Sequence, residues 1–235
     1  VLDRVAFITR SLQERGDPTR AAAMAAYMKT SMPFHGVARP ELDALVRDAL
    51  RRWPLENAAD YRQTVEELWA LPHREERYAA IAIARRHRRF VSMDHLDLYR
   101  RLVVEGAWWD LVDDVAHIAG RLLLDDRTAM RPVLDAWIDD DDVWLRRVAL
   151  LSQLDAKQQT DAAMLFAYCE RRIHDRDRFI RKAIGWALRQ YARTNPEAVR
   201  AFCLRNRDRL STVSMREAMK HLEPLDTDGA HAENP

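Results

Sequence analysis

A chain of 235 residues is long enough for a large core, and its six glycines amid abundant Ala, Leu, Arg and Glu exclude a strand-rich fold and favour helix throughout. No apolar run approaches the roughly 20 residues of a membrane span, and the first residues are not a charged-then-apolar leader, so a soluble chain in the cytoplasm is expected. Two cysteines, Cys169 and Cys203, exclude a disulfide framework and a paired-cysteine zinc site, and are expected as free buried thiols.

In chain order, an amphipathic helix runs over residues 1–15 through Val5, Ile8 and Leu12, and Gly16-Asp17-Pro18 stops it. The second helix covers 19–31. A turn over 32–39 leads to Pro40, which opens a helix reaching Trp53, and Pro54 ends it. Further helices are expected over 58–70, 75–90, 94–105, 108–124, 128–138, 143–154, 161–173, 178–192, 196–206 and 213–222. After Leu222 the periodicity ends, and residues 223–235 are expected as a polar tail behind one domain spanning 1–222.

Short helices with short breaks suggest a repeat. Trp108, Trp144 and Phe179 stand at equivalent helix starts, 36 and 35 residues apart. Three residues on lie Leu111, Arg147 and Lys182, with Arg77 34 residues before Leu111. A helix-turn-helix unit of about 35 residues therefore recurs. Neither of its helices buries its apolar stripe alone, so the units are expected to stack as a solenoid, placing Arg77, Arg147 and Lys182 in a basic ladder on its concave face. That ladder suits a phosphate backbone or an acidic protein partner.

The formal charge of +1 conceals a segregation. Residues 108–142 carry ten Asp and three Arg, whereas 144–210 carry fifteen Arg or Lys and seven acids. Either a local basic track or ordinary solvated helix faces would give this pattern. The run Asp139–Asp142 stands before the helix at Val143 and reads as capping charge.

The helix at 108–124 buries Trp108, Leu111, Val112, Val115, Ile118, Ala119 and Leu122 as one stripe. Trp109 and Asp113 stand one turn apart on its flank, where an indole beside a carboxylate could do chemistry on a cation. On spacing alone, a core-edge indole and a solvated acid are the first reading. Trp186 rises from a flank formed by Lys182, Arg189 and Gln190, which suits stacking on a base or sugar. Arg147 is the reverse case: Val143, Leu150, Leu151 and Leu154 surround it, so its guanidinium requires an internal carboxylate or a bound phosphate. The eight histidines show no His-x-x-x-His spacing, so no metal and no cofactor are expected.

Trp108-Trp109-Asp110-Leu111-Val112-Asp113 in an all-helical chain resembles the DNA alkylation repair glycosylases of the AlkD type, built from HEAT-like repeats. In the family's order there also stand Ala26-Tyr27-Met28-Lys29, Glu67-Leu68-Trp69-Ala70-Leu71-Pro72 with Arg74-Glu75, Trp144-Leu145-Arg146-Arg147, Lys182-Ala183-Ile184-Gly185-Trp186 with Leu188-Arg189, and Arg216-Glu217-Ala218 with Lys220-His221. The resemblance implies an all-α, right-handed or curved solenoid of about six HEAT-like repeats with a concave basic groove. It implies excision of N3- and N7-alkylated purines, bulky adducts included, from duplex DNA without base flipping. Asp113, Trp109 and Trp186 carry over as the catalytic group, and Tyr27, Arg147, Arg189 and Arg216 as DNA contacts. Lys182 joins them from the repeat register. The expected protein is a nucleoid-associated monomer with duplex DNA as its partner and no obligate protein or membrane partner. The alternative is a non-catalytic HEAT-like DNA-binding or scaffold protein.

Overall fold

The computed structural model describes residues 2–222, and the expected tail lies outside them. Among the described residues there is no strand, and no helix is long and apolar enough to cross a membrane. The fold is all-helical. Two compact units, Val1–Ile118 and Ala119–Pro235, divide the chain.

The first unit contains α1 (Asp3–Glu14), α2 (Pro18–Met28), α3 (Arg39–Arg52), α4 (Ala58–Trp69), α5 (Arg74–Arg86), α6 (Leu96–Gly106) and the start of α7 (Trp109–Asp125). The second contains the remainder of α7, then α8 (Arg127–Trp137), α9 (Val143–Leu151), α10 (Ala162–Arg171), α11 (Arg178–Ala192), α12 (Pro196–Arg205) and α13 (Thr212–Met219). Short polar side chains punctuate these helices. Asp17, Asn57, Asp126, Asp142, Asp161, Asp177, Asn195 and Ser211 each accept from backbone N–H groups of the first turn that follows. Each such cap contributes about 1 kcal/mol by satisfying donors that the helix leaves unpaired.

Four expected helices end three or four residues early. Those expected to reach Ser31 and Leu222 stop at Met28 and Met219. The helix expected to reach Phe90 stops at Arg86, and the following turn lets Arg89 donate to the Leu55 carbonyl and sets Phe90 5.7 Å from Tyr61. The helix expected to reach Leu154 stops at Leu151. There the Gln153 side chain satisfies both backbone groups of Asp161, donating to its carbonyl at 3.1 Å and accepting from its N–H at 2.7 Å.

In the first unit α3 packs on α1 and α5, and α4 covers α1 and α5. The buried side chains Leu42, Val46, Tyr61, Val65, Leu68, Ile81 and Ile83 form its centre. In the second unit α9, α11 and α13 lie in a row, with α8 against α9, α10 against α9 and α11, and α12 against α11 and α13. The α11–α13 contact is close enough that a Cβ on Gly185 would stand 2.5 Å from Glu217 Cβ and 2.9 Å from the Ser214 carbonyl oxygen.

The repeat period appears as lateral bonding inside each unit. Arg62 pairs with Asp97, Trp69 with Glu105 and Arg74 with Asp110, spanning 35, 36 and 36 residues. In the second unit Arg127 pairs with Asp161, Tyr168 with Asp135 and Ser214 with the Arg181 carbonyl, spanning 34, 33 and 33. Much of the charge segregation is consumed here, because Arg171 binds Asp135 and Asp139 while Arg172 also binds Asp139. In the expected capping run Asp142 caps α9, whereas Asp139 is an ion-pair acceptor.

Candidate active site

The start of α7 is fixed from α5. Arg74, at the first position of α5, donates through Nε to Asp110 Oδ2 at 2.8 Å and through Nη2 to Oδ1 at 2.6 Å. The Tyr78 hydroxyl, one turn further, also donates to Oδ2. Arg74 and Asp110 retain 4% and 6% side-chain exposure, so this is a dry bidentate pair. Burial is the largest single influence and opposes the Arg74 charge, but the hydrogen bond and the charge of Asp110, joined by Tyr78, together outweigh it and raise the pKa. Burial, reinforced by the Asp110 carboxylate, pushes the Tyr78 hydroxyl upward too.

The same turn of α5 holds the loop before α3. Glu75 is fully buried and accepts from the backbone N–H groups of His35, Gly36 and Val37 at 3.0, 2.8 and 3.1 Å. Gly36 adopts φ +88°, and a Cβ there would lie 2.1 Å from the Asp17 carbonyl oxygen, so only glycine lets the loop press against the start of α2. One turn of α5 thereby positions both α2 and α7.

Within this frame Trp109 and Asp113 are both half-buried, one turn apart on α7. Trp109 and Asp110 border a cavity of about 280 Å³ whose other walls are Met24, Met28, Val37, Arg39, Leu42 and Tyr78. Arg39 reaches across to Asp114 at 2.9 Å, and Arg85 meets the same carboxylate at 2.7 Å. Tyr27, on α2 beside Met28, is 74% exposed. A phenol so open contributes little to packing and suits an external contact.

The second unit carries the remaining expected residues. On α11 Lys182 is exposed and Trp186 half-buried. Arg189 is ion-paired with Glu217, and Arg216 is exposed on α13. Arg147 is buried on α9, where Nη1 donates to the Phe179 carbonyl at 2.7 Å. The expected ladder is therefore uneven: Lys182 faces solvent, Arg147 is bonded inside the unit, and Arg77 lies over the Trp69 ring at 4.6 Å with a bond to the Glu105 carbonyl. Trp144 and Phe179, equivalent in the repeat, meet at 4.8 Å between ring centroids.

Sequence reasoning did not assign Arg74, Glu75, Tyr78 and Asp110 any role. The signal was present, since Arg74 and Asp110 are one repeat apart and both stand in stretches that carry the family resemblance.

No curated protein matches the chain. A solved structure described as a predicted DNA alkylation repair enzyme from Enterococcus faecalis is 31% identical, with a TM-score of 0.81, covering 88% of this chain and 96% of that one. The structure of smu.31 from Streptococcus mutans UA159 shares the fold at 13% identity and a TM-score of 0.63, covering 94% of this chain and 100% of that one. The family model for DNA alkylation repair enzymes matches residues 8–222, and this chain belongs to that family.

Proposed function

We propose that the protein is a monofunctional DNA glycosylase, a hydrolase of N-glycosyl bonds that removes cationic N3- and N7-alkylated purines, 3-methyladenine and 7-methylguanine among them, from duplex DNA. The observation that carries this reading is the half-buried Trp109–Asp113 pair, one turn apart on a helix whose start is clamped by Arg74, Tyr78 and Asp110.

Alkylation at N3 or N7 leaves the purine cationic and already a good leaving group. When the C1′–N bond breaks, its electron pair leaves with the base, neutralising the purine, and positive charge moves to the deoxyribose. A carboxylate beside C1′ stabilises that charge. At about 4 Å and an effective dielectric near 20 the attraction is about 4 kcal/mol. Water then adds to C1′ and gives up a proton, which the Asp113 carboxylate receives after orienting the water. Trp109 offers a π face to the developing cation. The clamp on Asp110 sets the helix before substrate arrives, so little reorganisation accompanies the reaction.

In this reading the lesion is recognised through backbone and sugar, without flipping. Tyr27 and Lys182 meet the DNA backbone and Trp186 a sugar, with Arg189 and Arg216 as neighbouring cations. Arg147 sustains the unit that presents Lys182 and Trp186. The proposed protein acts as a monomer in the cytoplasm, at the nucleoid. The test is release of 7-methylguanine from methylated duplex DNA by the purified chain. Released base supports the reading, whereas binding without release would establish a non-catalytic DNA-binding protein.

A further inference from the structure

Two histidines that no linear motif connects meet at the start of α5. His35 lies in the loop before α3 and His73 immediately precedes α5, and their rings stack at 3.8 Å with 22° between planes. Both turn a nitrogen toward Glu76. His35 Nε2 is 3.2 Å from Glu76 Oε1, and His73 Nδ1 is 3.7 Å from Oε2. Among the described residues this trio places one ligand atom from each side chain within 4.8 Å of the others. We propose that His35, His73 and Glu76 bind a divalent transition-metal ion of the zinc class, fastening the loop of residues 32–37 to α5.

Three observations carry this. First, the separations suit the chemistry: zinc takes imidazole nitrogen and carboxylate oxygen at about 2.0–2.2 Å, which sets tetrahedral ligand atoms about 3.3–3.6 Å apart. The two contacts to Glu76 bracket that spacing. Second, His73 Nδ1 is buried and has no hydrogen-bond partner among the described residues, whereas His35 Nε2 and both Glu76 oxygens are engaged, Oε2 by the His73 backbone N–H at 2.9 Å. A buried ring nitrogen aimed toward a carboxylate without reaching it is a donor set one atom short. Third, Glu76 is buried, and its helical neighbours are committed elsewhere, Arg74 to Asp110 and Glu75 to the loop amides. Buried carboxylates are compensated by cations or coordinate metals.

The backbone supporting the trio is already fixed. The His35 N–H donates to Glu75 and its carbonyl accepts from the Asp17 N–H at 2.9 Å, so the ion does not have to fold the loop. Coordination requires the two rings to open from their stack so that their lone pairs converge. His73, whose side chain is 29% exposed, is the ring with room to turn, and its open edge admits a water as fourth ligand. The inference is independent of the repair reading, since Trp109 and Asp113 take no part.

The experiment is calorimetric titration of Zn²⁺ into the chelator-treated full chain, alongside His35→Ala, His73→Ala and, as a control in the second unit, His174→Ala. Because the His73 ring stands at the N-cap of α5 and stacks on His35, circular dichroism and thermal melting check that each variant keeps the wild-type fold. The expected result is one ion per wild-type and His174→Ala chain, with affinity at least tenfold weaker in both cluster variants. No saturable one-to-one binding by wild type, or wild-type affinity retained in either cluster variant, overturns the proposal.

Discussion

Arg74 grips Asp110 by two bonds of 2.8 and 2.6 Å across 36 residues of sequence, and the Asp it holds lies between Trp109 and the turn that bears Asp113. The pair is nearly dry, so its two members are far more costly to separate than to keep. Removing one partner of a buried ion pair leaves the other charge uncompensated, at about 3–5 kcal/mol. Arg74→Ala is therefore expected to lower the unfolding free energy measured by urea denaturation by that amount. Asp110→Asn is expected to cost less, since its amide oxygen still accepts from Tyr78. In the folded fraction, Arg74→Ala is expected to reduce base release through the rate constant at saturating DNA more than through DNA affinity.

The α11–α13 contact makes a second expectation. A methyl group on Gly185 would meet Glu217 Cβ at 2.5 Å and the Ser214 carbonyl at 2.9 Å. Gly185→Ala gains helix propensity, yet forces the helices apart, and overpacking of this kind costs about 1–3 kcal/mol. Thermal melting should show a net loss of stability. An unchanged or raised melting temperature would mean that α13 shifts without cost.

Arg147 and Lys182 stand at equivalent positions in the repeat and should respond oppositely. Arg147→Ala leaves the Phe179 carbonyl without its 2.7 Å donor and is expected to cost about 1–3 kcal/mol in chemical denaturation. Lys182→Ala should leave stability unchanged. In binding to undamaged duplex it should reduce the slope of log affinity against log salt by about 1, as expected for one lost phosphate contact.

Acid sensitivity supplies a fourth expectation. The Arg62 guanidinium, hydrogen-bonded to Asp97, holds that carboxyl down to about 2. The folded group is the stronger acid, so its contribution is present above the ordinary Asp value of about 3.9 and is lost as pH falls toward about 2. The Asp97 side chain is 66% exposed, and solvent screening limits the contribution to less than about 1 kcal/mol. Asp97→Asn should flatten the decline of the melting temperature between about pH 4 and pH 2 slightly, which a series of thermal melts measures.

The helices were readable because their ends are chemically marked. Asp142 caps α9 from within the acidic run that reads as capping charge, and α11 spans the expected residues. The repeat was readable because Trp144 and Phe179 occupy one position in successive units and touch. The fate of the charges was not. A ladder of Arg77, Arg147 and Lys182 follows from register, but register does not say whether a guanidinium turns outward or finds a carbonyl, as Arg147 does at Phe179. Periodicity also hides the support beneath Trp109. Arg74, Glu75 and Glu76 look like an ordinary charged first turn, yet all three are buried because loop amides and Asp110 receive them. His35 and His73 are 38 residues apart, so their stacking is a tertiary event that spacing rules cannot detect.

In the proposed reaction the Asp113 carboxylate lowers the barrier to glycosidic cleavage. The most direct measurement is the single-turnover rate of 7-methylguanine release at saturating enzyme, for wild type and for Asp113→Asn of verified fold and DNA affinity. Loss of about 4 kcal/mol of charge stabilisation predicts a rate lower by roughly a thousandfold. Equal rates for the two proteins would contradict the account.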